Sequence, residues 1–114
     1  MPYIEAKFTM PLDQAKKNSI CEKIENSVSA NFRKPKSFVM MEISDNMPLR
    51  MNGMPLKKGA YISIKLFGTT TKPVCSSCTS EISNILKKEL DIDSKNIYIT
   101  YHPVEFWGWD RQMF

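Results

Sequence analysis

The sequence predicts an α/β fold: two β-α-β units forming a four-stranded mixed sheet with two helices on one face. Three observations predict it. Residues 3–8 and 61–67 alternate apolar and polar side chains, the period of a strand with one buried face. Each run is followed by apolar residues recurring every three or four positions, the period of an amphipathic helix, and then by another alternating run. The halves also keep a common offset, because Tyr3 and Tyr61, like Ile24 and Ile82, stand 58 positions apart. The chain reads as a single domain over residues 1–114, with two pseudo-repeats at about 2–45 and 59–102 and a C-terminal tail.

In the first unit Ile4, Ala6 and Phe8 point one way, and Tyr3, Glu5 and Lys7 the other. Pro11 is read as opening a helix with Asp13 in its first turn, since proline and acidic residues suit a helix start. Ile20, Ile24 and Val28 form the helix's apolar stripe, with Ala15 and Cys21 near it. Lys34-Pro35 ends it, because the residue before proline avoids helical geometry. A strand from Phe38 to Ile43 follows, with Val39, Met41 and Ile43 on one face. Residues 44–58 contain Asp45-Asn46, Pro48, Asn52-Gly53 and Pro55 and read as turn and loop.

The second unit begins with a strand from Tyr61 to Phe67 that turns Ile62, Ile64 and Leu66 to one face. Gly68 and three threonines lead into a helix starting at Lys72-Pro73. Its stripe is Cys78, Ile82, Ile85, Leu86 and Leu90. Asp91 to Asn96 is a turn, and Ile97 to Tyr101 is the last strand.

Parallel strands joined by a helix need a right-handed crossover, which places both helices on one face. The isoleucines, leucine, valine and methionine of the four strands supply that face. The other face carries Tyr3, Glu5, Lys7, Phe38, Met40, Glu42, Tyr61, Ser63, Lys65, Phe67, Tyr98 and Thr100. Sheets rich in parallel strands seldom leave a face bare. The mixture of aromatics and charges suits packing against other subunits around a polar centre.

At 114 residues, 42% hydrophobic and 25% charged, the composition is that of a globular protein and excludes collagen-like and disordered classes. Apolar runs reach about four residues, against about 20 for a spanning helix, so no membrane insertion is expected. The start Met1-Pro2-Tyr3-Ile4 has no basic head and no apolar stretch, so no secretory signal is expected. Sixteen Lys and Arg against twelve Asp and Glu give a net charge of +4. The lysines are scattered in pairs, which argues against nucleic acid and for an anionic small molecule as the use of one of them. Three cysteines without a secretory signal read as reduced thiols in the cytoplasm.

Several short motifs then carry a family resemblance: Met1-Pro2, Lys34-Pro35, Phe67-Gly68, Leu90-x-Ile92, Asn96-Ile97-Tyr98-Ile99, Gly108-Trp109 and the terminal Phe114. In this order and spacing, across essentially the whole chain, the sequence resembles the macrophage migration inhibitory factor family of the tautomerase superfamily. The resemblance implies a homotrimer whose sheets surround a central channel. It implies a metal-free and cofactor-free keto-enol tautomerase, an intramolecular isomerase acting on small aromatic 2-oxo acids such as phenylpyruvate, with dopachrome-type compounds as artificial substrates.

In that scheme Pro2 is the general base, once removal of Met1 frees its nitrogen. An apolar pocket or a nearby cation lowers an amine's pKa from about 8, leaving it neutral near pH 7. Lys34 matches the family lysine that pairs with a substrate carboxylate; alone, it would read as a solvated lysine at a helix end. Phe67 stands where the family usually has an aliphatic residue. Tyr98 matches the tyrosine that reaches the site from the neighbouring subunit, and Thr100 stands where the best-known members have asparagine. Phe38 is counted with the substrate-binding residues. Trp107, Trp109, Met113 and Phe114 supply an aromatic rim. The alternative implied by the same family is a cytokine-like signalling ligand with vestigial catalysis. Its partner would be a cell-surface receptor, reached by a route that needs no signal peptide.

Cys75-x-x-Cys78 invites a thiol–disulfide reading. The family's own Cys-x-x-Cys falls at Gly59 and Ile62 here, so that motif is absent. Cys78 lies on the helix stripe, and the pair reads as packing thiols. His102 is the only histidine, which leaves a zinc site without ligands.

Overall fold

In a computed structural model that describes all 114 residues, burial alternates strictly along β1 (Pro2–Phe8), with Pro2, Ile4, Ala6 and Phe8 buried. There follow α1 (Gln14–Phe32), β2 (Met40–Ser44), β3 (Arg50–Met51), β4 (Met54–Pro55) and β5 (Ala60–Phe67). The chain then runs through α2 (Lys72–Leu90), β6 (Ile97–Val104), β7 (Gly108–Trp109) and β8 (Gln112–Met113). The main sheet has the order β2-β1-β5-β6. Each outer strand is parallel to its inner neighbour, and the two inner strands are antiparallel, so the sheet is mixed.

The repeat is stricter in structure than in sequence. Both helices have 19 residues and start 58 positions apart, at Gln14 and Lys72. Both end on a residue in the left-handed region, Arg33 at φ 54° and Asp91 at φ 55°. The second strand of each unit keeps nearly the same offset, Met40 against Ile97. Ile20, Ile24 and Val28 of α1 and Cys78, Ile82 and Leu86 of α2 are buried in one core with Ile4, Phe8, Ile62, Ile64 and Leu66 of the sheet.

Several boundaries differ from the sequence reading. Asp13 is the N-cap of α1, not a member of its first turn: its carboxylate accepts a 2.7 Å hydrogen bond from the Lys16 amide. A free N–H at a helix start recruits such an acceptor. Pro11 therefore lies outside the helix, and Ala15 is exposed rather than near the stripe. Phe38 is not in a strand. Lys36–Phe38 forms one 3-10 turn, in which the Phe38 amide donates to the Pro35 carbonyl and the Val39 amide to that of Lys36. Pro35, with φ −56°, sets up this turn. The strand begins only at Met40 and runs to Ser44.

Two small hairpins also occupy stretches read as loop and tail. Asn52 (φ 55°) and Gly53 (φ 72°) make the β3–β4 turn, with the Asn-Gly pair that suits two left-handed residues. The β7–β8 turn uses Asp110 (φ 48°) and Arg111 (φ 64°) instead, a pair that no local propensity would announce.

Ile82 is fully buried on α2. The Ile82→Ala variant is expected to lose about 2–5 kcal/mol of stability. This would appear as a lower urea midpoint with an unchanged slope at fixed protein concentration. A loss near zero would show that the helix layer does not hold the sheet together.

Candidate functional site

The antiparallel register of β1 and β5 sets Pro2 opposite Leu66. The start of the chain therefore lies beside the end of β5, and the Phe67 amide donates to the Met1 carbonyl at 3.3 Å. Parallel pairing brings the start of β2 to Tyr3 and the end of β6 to Leu66 and Phe67. The 3-10 turn before β2 and the hairpin after β6 thus meet over the chain start. Gly68, at φ 95°, lets β5 turn away just past Phe67, and its amide donates to the Val104 carbonyl.

A cleft of about 470 Å³ results, lined by Met1, Pro2, Tyr3, Phe38, Met40, Lys65, Trp107 and Trp109 among others. That is within the range for small-molecule sites. Four aromatic rings edge it in a chain. Phe38 meets Trp109 edge-on, with ring centres 5.3 Å apart; Trp109 lies 6.3 Å from Phe114, and Phe114 lies 6.0 Å from Phe67. Such pairs add to apolar burial through their edge-to-face electrostatics. The Phe114 amide donates to the Trp107 carbonyl at 2.9 Å, closing the C-terminal hairpin onto this rim.

The amino group of Met1 is pushed below its ordinary value of 8.0, by burial first and by the positive charge of Lys34 second. Lys34 is half-buried just beyond α1 and has no ion-pair partner. The cleft thus destabilises a cationic amine at the chain start, the condition a basic nitrogen needs to stay neutral.

Of the residues singled out in the sequence, Pro2, Phe38, Trp107 and Trp109 line one cleft. Phe67 and Phe114 adjoin it through the aromatic chain, and Lys34 acts on it through charge. Tyr98 and Thr100 are not brought there by the same chain. Tyr98 pairs with Tyr61, five residues along β5 from Leu66, which is about 16 Å at strand rise. It is exposed and lines a separate cavity of about 320 Å³ with Leu49, Leu56 and Tyr61. Thr100 shares hydrogen bonds with the Tyr61 hydroxyl at 2.7 Å and with His102 Nε2 at 2.8 Å. Lys65, Tyr3 and Met40 line the cleft without having been singled out. Alternation placed all three on one sheet face, but only the strand register sets them side by side.

Cys78 is buried, with its sulfur 4.0 Å from Ser27 Oγ, and burial pushes its thiol upward. Tyr101, half-buried beside it, is also raised, mainly by burial, while its hydroxyl shares a 2.8 Å hydrogen bond with Thr79. A raised thiol is a poor nucleophile near neutral pH. All three cysteines are free, and none lines the cleft. No helix is long and apolar enough to cross a membrane.

A family model described as macrophage migration inhibitory factor matches residues 1–111. No curated protein sequence matches the chain. Among solved structures, Leishmania major MIF2 superposes with a TM-score of 0.90 at 24% identity, covering 100% of this chain and 97% of that one. A macrophage migration inhibitory factor-like protein from Entamoeba histolytica gives 0.88 at 20% identity, covering 99% and 98%. A fused 4-OT described as a symmetric trimer gives 0.80 at 11% identity, covering 90% and 85%.

Two causes lower the terminal amine, and they are separable. In protein whose intact mass shows Met1 retained, the amine is expected to titrate below 8.0. Lys34→Ala should move it partway back up, because burial, the larger cause, remains. The pH dependence of amine labelling with limiting reagent measures both; an unmoved midpoint in the variant would show that Lys34 does not act on the cleft.

Proposed function

From the chain's place in the macrophage migration inhibitory factor family, to which it belongs, we propose that it is a keto-enol tautomerase acting on 2-oxo acids as a homotrimer, with Pro2 as general base. The observation that carries this reading is the position of Pro2. It is buried at the first residue of a central strand, in an aromatic cleft that lowers the pKa of the neighbouring chain-start amine. With Met1 attached, the Pro2 nitrogen is an amide whose lone pair is delocalised into the carbonyl. Removal of Met1 turns it into a secondary amine at the cleft floor.

The reaction then needs few parts. The neutral Pro2 nitrogen takes a proton from the carbon next to the substrate's carbonyl. The released electron pair forms the carbon–carbon double bond, and the carbonyl pair moves to oxygen. Return of that proton from Pro2 to the oxygen completes the enol, an isomer of the starting acid, and restores the neutral base. Lys34 holds the carboxylate and disfavours protonation of Pro2. Phe38, Phe67, Trp109 and Phe114 enclose the carbon skeleton and limit water, which strengthens electrostatic stabilisation of the enolate. A base of this kind is worth about 10²–10⁴ in rate.

Tyr98 and Thr100 enter from a neighbouring copy in this reading. Within one chain Tyr98 is too far from Pro2 to serve it, yet it and Met40 stand exposed at 65% and 68% on the sheet face. Exposed aromatic and thioether side chains on such a face are explained by burial between subunits. For the compartment we propose the cytoplasm, on the support of three free thiols.

Two measurements test the reading. Phenylpyruvate tautomerisation is expected to fall at least about 100-fold when a residue precedes Pro2, as intact mass would confirm. Pro2→Gly, which keeps a primary amine, should retain part of the activity. In processed protein the rate should rise with pH through a midpoint below 8, because deprotonation creates the base. Equal activity of blocked and processed chains would overturn Pro2 as base, and an inactive processed protein would favour the signalling-ligand reading. Separately, sedimentation at micromolar concentration should give three times the chain mass; a monomer would leave Tyr98 without a site to serve.

A further inference from the structure

The cleft contains a lysine that the proposed reaction does not use. Lys65 lies on β5, opposite Tyr3 of β1 and beside His102 of β6, and its side chain is exposed toward the cleft that Pro2 and Trp109 also line. It stands apart from Lys34 in the fold. Lys34 follows the C-terminus of α1, whereas Lys65 projects from the sheet face turned away from the helices.

Lys65 is also unpaired. Lys16, Lys17, Lys23, Lys58 and Lys87 each have a carboxylate partner, and Lys65 has none. The nearby carboxylate of Glu42 is already taken, accepting hydrogen bonds from the Tyr3 hydroxyl at 3.0 Å and the Ser44 hydroxyl at 3.2 Å. A cation that faces an apolar cleft and has no ion-pair partner within its own chain is suited to an anionic group on a ligand bound there.

We propose that Lys65 is a specificity-determining residue that binds a second anionic group of the substrate, so that the preferred substrates are 2-oxo acids carrying a further carboxylate at the far end of an aryl or alkyl skeleton. This rests on the tautomerase reading above. Lys34 takes the carboxylate beside the reacting carbonyl, the aromatic rim covers the skeleton, and Lys65 meets the distal charge where the cleft opens to water. A charge-assisted hydrogen bond at such a site corresponds to a preference of about tenfold or more over the monoanion.

Phenylpyruvate and 4-carboxyphenylpyruvate test it, since they differ only in the distal carboxylate. Processed wild type is expected to favour the dianion about tenfold in kcat/KM, mainly through KM. Lys65→Met should bring the two substrates together by lowering the dianion value, and Lys65→Arg should restore the gap. The pH midpoint should stay in place in Lys65→Met. Equal kcat/KM for both compounds in wild type would overturn the proposal. So would an equal proportional fall on both in Lys65→Met, which would mean that Lys65 shares the first carboxylate or holds the site's shape.

Failure of the tautomerase reading is recognised separately, as wild type that turns over neither compound. Quenching of tryptophan fluorescence by the same two compounds then reads binding alone. Tighter dianion binding that is lost in Lys65→Met would uphold the anion site, and equal binding in wild type would remove it.

Discussion

Pro2 stands opposite Leu66 because β1 and β5 run antiparallel at the centre of the sheet, and the cleft depends on that pairing. If the two inner strands ran parallel, the start of β1 would meet the start of β5, far from Phe67 and from the end of β6. The register is well determined. Ile4, Ala6 and Phe8 face the helices together with Ile62, Ile64 and Leu66, and a one-residue slip of either strand would turn its set toward the polar face. The hydrophobic core therefore excludes a one-residue shift of the N-terminus along β5.

The cleft's chemistry follows from what this register collects. Two lysines without carboxylate partners, a buried proline and a chain of four aromatic rings come from separate segments of the chain. Of the acidic groups on the same sheet face, Glu42 is engaged by the hydroxyls of Tyr3 and Ser44. Between the two helices, Glu89 accepts from both Lys16 and Lys23, which holds its carboxyl below the usual range. Such exposed pairs contribute little to stability. Lys34 and Lys65, by contrast, have no carboxylate partner within the chain.

The C-terminal segment shows how tertiary packing can impose local geometry. Asp110 and Arg111 both take left-handed backbone conformations without glycine. The hairpin is held by the Phe114–Trp107 backbone bond and by Trp109 lying between Phe38 and Phe114. The thiols illustrate the opposite case. Cys75 and Cys78 have the spacing of a redox pair, yet Cys78 sits in the helix–helix core beside Ser27, where burial suppresses its ionisation.

Periodicity alone determined the four main strands, the two helices, the 58-residue repeat and most of the core, because a buried face repeats every two or 3.6 residues whatever its partners; Ile92, buried but read as part of a turn, lay outside it. The family resemblance, rather than residue types alone, pointed to Pro2, Lys34 and the aromatic rim as site candidates. Tertiary structure decided what touches what. Pro35 turned Phe38 out of the expected strand and against Trp109, since a proline-led 3-10 turn competes with strand geometry and aromatic packing rewards it. Strand pairing set Tyr98 level with Tyr61, about 16 Å along β5 from the Leu66 that faces Pro2, and brought Lys65 into the same cleft as Pro2. Neither placement is legible in one dimension. Alternation tells which face a side chain occupies, whereas direction and register of neighbouring strands tell which end of the sheet it shares, and those are settled only when the core closes.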